Sequence, residues 1–90
     1  MDEGEARRLA EHAFLHVASD DTLSAALLDA SGADPAGLRR MAAREEFAAF
    51  VLDFLLESDA RVLGFAEAEG IAPERLLRAR HALGGEAAWP

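Results

Sequence analysis

Cysteine, tyrosine and lysine are all missing from this 90-residue chain. The missing cysteine excludes disulfides, thiolate metal sites and a cysteine nucleophile at once. Three prolines, seven glycines and no tyrosine leave little material for a β-sheet. Basic charge is scarce too: nine bases, all arginine, stand against seventeen acids, for a formal charge of −8. Such a field repels phosphate backbones and anionic lipid, so neither a membrane nor a nucleic acid is an expected partner. Long apolar runs are also lacking. The most apolar stretch, Phe47 to Leu56, contains Asp53 and falls short of the roughly 20 residues that span a bilayer. Met1-Asp2-Glu3-Gly4-Glu5 is acidic where a secretory signal needs a basic start and an apolar run. A soluble, cytoplasmic protein is the expectation. There is no glycine-rich phosphate loop, and the hydroxyl residues fall at caps or helix ends without a histidine placed to activate them. No cofactor and no catalytic residue are therefore expected.

What is present points to helices. Apolar residues make up 51% of the chain and charged residues 29%, the balance of an ordinary globular protein. Alanine, leucine, glutamate and arginine dominate, all good helix formers. Ala6, Leu9, Ala10, Ala13, Phe14 and Val17 recur at three- and four-residue spacing, which predicts a helix over about 5–18. N-cap candidates in Ser19-Asp20-Asp21-Thr22 precede a second helix over about 23–31, closed by Gly32 in a left-handed cap. Asp34 caps a short third helix, opened by Pro35 and running to about Ala43.

Over about 44–57 the pattern changes. At about 100° per residue, Phe47, Phe50, Val51, Leu52, Phe54 and Leu55 with their neighbours cover well over half the circumference. Glu46, Asp53 and Glu57 fall in the narrow strip that remains. A helix this apolar needs cover on several sides, so it is the expected centre, with its three phenylalanine rings dominating the stability. Ser58-Asp59 caps a fifth helix over about 60–69, closed by Gly70; Pro73 opens a sixth, stopped by Gly84-Gly85. The predicted fold class is all-α: a compact bundle of five to six short helices around a central apolar helix (about 44–57), with no sheet. The length suits a single helical domain over about 1–85, followed by a frayed tail over 86–90 whose Trp89 can dock back.

The chain also echoes itself. Asp21, Ala30, Gly32, Pro35, Leu38 and Arg40 recur 38 residues later as Asp59, Ala68, Gly70, Pro73, Leu76 and Arg78. Duplication of a helical hairpin explains this, and so does one good turn solution reached twice.

Several of these segments together resemble a known family. They are Phe14-Leu15, the acidic cap Asp20-Asp21, and Gly32-x-x-Pro35-x-x-Leu38-Arg39. Phe47-x-x-x-Val51-Leu52-Asp53-Phe54-Leu55, then Asp59, Leu63 and Phe65, and finally Gly70-Ile71-x-Pro73-Glu74 complete the set. The resemblance, over about residues 6–84, is to a small bacterial family, mainly alphaproteobacterial, catalogued only as a domain of unknown function. The chain departs at Asp21-Thr22, where Asp-Pro is usual, and at Leu28 to Ser31, where an aromatic and a threonine usually precede the glycine. Both departures touch helix ends. The resemblance implies a bacterial, cytoplasmic, compact helical domain and brings no activity, cofactor or catalytic residue with it.

Three constellations invite a chemical reading. His12 and His16 are four apart on the first helix, a spacing that lets two rings meet one metal ion, but no third ligand is adjacent. Two boundary histidines are the expectation. Asp53 is the one acid surrounded by apolar residues, where acid–base chemistry is sought first. Its strip neighbours Glu46 and Glu57 favour a solvated ridge, with an arginine from Arg39, Arg40 or Arg44, or from a partner chain, as the variation. The hairpin over about 60–83 has the spacing of a DNA-binding helix-turn-helix, which would place Arg75, Arg78 and Arg80 on a recognition helix. Glu69, where that motif buries an apolar side chain, and the net charge both count against it. By subtraction, the expected function is a protein–protein interaction module without catalytic activity, its partner an unidentified protein or a second copy. Leu15, Leu28, Leu52 and Leu56 lie off the main stripes of their helices and are candidates for exposed apolar surface.

Overall fold

Most breaks in the apolar pattern become helix boundaries in the computed structural model, which describes residues 1–84. Six helices follow one another: α1 (Glu3–Ala18), α2 (Asp21–Ser31), α3 (Pro35–Ala42), α4 (Glu46–Leu56), α5 (Asp59–Glu69) and α6 (Glu74–Ala82). There is no strand among the described residues. Trp89 and the predicted tail over 86–90 lie outside them.

The helix starts are set by side-chain oxygens that take an otherwise unsatisfied backbone N–H. Asp2 accepts from Glu5 at 2.8 Å, Asp20 from Leu23 at 2.9 Å, and Asp34 from Gly37 at 2.7 Å. Ser58 does the same for Arg61 at 3.4 Å. Asp2 explains why α1 begins at Glu3, three residues before the apolar stripe does. Ser19, a cap candidate for α2, instead donates to the carbonyl of His16 at 2.8 Å and finishes α1. Gly32 and Gly70 end α2 and α5 in the left-handed region, at φ 68° and 69°. After Gly70, Ile71 N–H closes α5 onto the Ala66 carbonyl at 3.0 Å. The central helix starts later than its pattern implies. Arg44 lies in a turn, its N–H on the Met41 carbonyl at 2.9 Å, and α4 begins at Glu46 without a side-chain cap.

The centre is where the pattern puts it. α4 packs against each of the other five helices. Val51, Leu52 and Leu55 are fully enclosed and Phe54 nearly so. Two details differ from the sequence reading. Phe50 is only partly buried, and the one completely enclosed ring among the described residues is Phe65, contributed by α5. Leu52, off the stripe of its helix, is also completely buried, because α4 is covered from so many sides. Leu28 and Leu56 are partly covered, whereas Leu15, Leu63 and Leu77 are exposed. α1 is the second organiser, packing on α2, α4 and α6 through Ala6, Leu9, Ala10, Ala13 and Val17. Its alanines let neighbouring axes approach closely. The Cα radius of gyration, 12.1 Å, is that of a compact chain of this length.

The echo survives in the backbone and diverges in its use. Asp20 and Ser58, themselves 38 apart, both cap, and the two glycines share one conformation. Yet α6 buries Leu76, Ala79 and Arg80, while α3 buries no residue fully.

Two glycines with equal room test the backbone reasoning. A Cβ added at Gly64 or at Gly70 would meet nothing within 4 Å. Gly64 lies inside α5 without a positive φ, so Gly64→Ala should raise stability by about 0.5–1 kcal/mol. Gly70→Ala forces an L side chain into the left-handed region and should lower it by about 1–2 kcal/mol. Urea unfolding followed by circular dichroism reads both signs.

Candidate functional site

The histidines of α1 take separate partners. His12 Nδ1 lies 3.0 Å from Glu69 Oε2 at the end of α5, while the His16 ring stands edge-on to Phe65, centroids 5.3 Å apart. His12 is exposed and His16 half-buried, in the order the helical wheel gives. Among the described residues no three His, Asp or Glu side chains are grouped to hold a metal ion.

Asp53 is not on a solvated ridge. Arg80 Nε donates to its Oδ1 at 2.7 Å, and the two side chains are only 8% and 17% exposed. A second Arg80 nitrogen donates to the Gly84 carbonyl at 2.9 Å. Arg39, Arg40 and Arg44, the expected donors within the chain, are not its partner. The one that reaches it stands 27 residues further along the chain, where no periodicity points. Packing α6 against α4 makes the pair, and the carboxylate is thereby committed to structure.

The same contact bears on the helix-turn-helix arrangement. Of the three α6 arginines, Arg80 is buried on Asp53 and Arg75 is 3.6 Å from Glu5 of α1. Arg78 is exposed and holds no carboxylate among the described residues. Two of the three would have to leave carboxylates to reach a phosphate.

A hollow of about 380 Å³ lies beside His12, His16 and Glu69, and an apolar groove lies elsewhere. Where α1 crosses the start of α4, Phe14 and Phe47 meet edge to face, centroids 5.1 Å apart at 81°. Beside them runs an open groove of about 420 Å³, floored by Ala10, Phe14, Leu15, Phe47 and Ala48. Its rim carries two guanidiniums, Arg7 and Arg44, and two carboxylates, Glu11 and Glu45. The groove exists because Ala10 and Ala48 stop short where larger residues would fill the space. Ala48, small within a run of large apolar residues, is the signal in the sequence that could have found it. Two smaller hollows flank the α3–α4 turn, one beside Arg40 and Met41, the other floored by Met41, Phe47 and Phe50. Arg44 borders all three, because the turn projects it from the corner. Such a lining can enclose an apolar side chain and hold polar groups at its edge.

These features define a class: a small all-α bundle with an apolar groove edged by charge. The chain belongs to the family described as protein of unknown function, DUF3572, which it matches over residues 3–86. No curated protein and no solved structure matches it. Among the described residues, no helix is long and apolar enough to cross a membrane.

The Asp53–Arg80 pair is open to a direct test. Asp53→Asn leaves a buried guanidinium without its counter-charge and should cost about 2–4 kcal/mol in urea unfolding. The double variant Asp53→Leu/Arg80→Met removes both charges together and should recover most of that loss.

Proposed function

We propose that this chain is a small cytoplasmic protein–protein interaction module of alphaproteobacteria, without catalytic activity, whose α1–α4 groove receives an apolar side chain of its partner. The observation that carries this is the groove itself, with Leu15 on its floor 66% exposed to water. A leucine that exposed beside two aromatic rings and a concave surface is what a binding patch looks like before its partner arrives. The rim supports the same conclusion. Alternating arginine and glutamate around an apolar floor supply directional contacts that fix orientation, while the floor supplies most of the affinity. The bacterial, cytoplasmic setting rests on the family resemblance.

The test uses substitutions that fill the groove without touching the enclosed core. Ala48→Arg and Leu15→Asp, each tagged and expressed in the native host, should lose a cross-linked partner that the unaltered chain retains. Thermal unfolding of both variants should stay close to that of the parent. Recovery of the same proteins by all three chains would overturn the proposal.

A further inference from the structure

Building on the interaction reading, we infer that the partner presents an acidic, amphipathic segment to the α3–α4 corner, where Arg39, Arg40 and Arg44 stand without carboxylates. Four arginines, Arg7, Arg61, Arg75 and Arg80, lie within 4.0 Å of an acid. Arg39, Arg40 and Arg44 are exposed and hold no acid among the described residues, although the chain has seventeen. They fall within six consecutive residues, on α3 and the turn after it.

Two of the three neighbouring acids are engaged. Asp34 caps Gly37 N–H at 2.7 Å, and Glu45 faces Arg7 at 4.0 Å. Glu46 sits in the first turn of α4, where the helix dipole favours a negative charge. On a surface carrying −8 overall, this corner is the place where an acidic ligand is attracted.

Apolar ground lies beside Arg44. Met41, Phe47, Ala49 and Phe50 floor a hollow of about 290 Å³ beside Arg44, with Glu46 and the Arg80-paired Asp53 at its edge. Guanidinium groups bind carboxylates in bidentate fashion, and their flat faces also stack on aromatic rings. A helix with aspartates or glutamates flanking two or three apolar anchors satisfies both features together. A nucleic acid fits less well, because its phosphates continue past the corner onto acidic surface.

The probe is a synthetic helical peptide with leucines on one face and glutamates on both flanks, titrated into the isotope-labelled full chain. Amide shifts should concentrate at Met41, Arg44 and Phe50. Affinity should fall about tenfold in the triple variant Arg39→Gln/Arg40→Gln/Arg44→Gln, and fall as salt is raised. A lysine-for-glutamate version should not bind. Absence of binding, equal binding by the triple variant, or tighter binding of a DNA duplex at the same residues would overturn the inference. So would binding that appears only after residues 86–90 are removed, since the corner would then serve the chain's own Glu86 and Trp89. A native partner lost with Ala48→Arg yet retained by the triple variant sinks this inference alone and leaves the interaction module standing.

Discussion

A helix that is apolar around most of its circumference cannot rest against a single neighbour, and α4 is such a helix. Burying one leucine or phenylalanine is worth roughly 1.5–3 kcal/mol, so leaving any large part of α4 wet would forfeit much of the stability of a chain this short. The remaining five helices are arranged accordingly, each in contact with it. α1 and α6 present buried alanines, α5 inserts Phe65, and α3 contributes only partly buried Leu38 and Met41.

The two halves of α4 are finished differently. Towards its C-terminus, arginines close what carbon cannot. Arg80 meets Asp53 in the middle of the helix, and Arg61 lies 4.0 Å over the Phe54 ring while donating to the Phe54 carbonyl at 3.0 Å. Both guanidiniums face backbone or carboxylate oxygens on one side and packed carbon on the other, which suits a weakly hydrated planar cation. At the N-terminal end the finish is open. Arg44 has no carboxylate among the described residues, α3 is short, and Ala48 leaves space beside Phe47. The apolar groove and two smaller hollows gather at that unfinished end.

Much of the fold was legible beforehand, for a reason visible in individual residues. Asp20, Asp34 and Ser58 act within three residues of where they stand, and Gly32 and Gly70 turn the chain at their own φ angles. Such effects are read from neighbours in sequence. The candidate site was legible only in pieces. Leu15 stood out as an off-stripe leucine, but Leu52 stood out equally and is enclosed, while Leu63 and Leu77 did not stand out and are exposed. A helical wheel ranks faces within one helix and says nothing about how many neighbours cover each face.

Alone, then, the sequence determined a bundle of five to six helices, most of the caps, the identity of the central helix and the absence of any thiol chemistry, because each depends on local geometry or on composition. The tertiary structure decided that Asp53 belongs to Arg80, that Phe65 rather than Phe50 is the enclosed ring, and that a groove opens beside Ala48. Those outcomes depend on which surfaces meet across dozens of residues. Packing settles that jointly for all six helices, and no single segment carries the information.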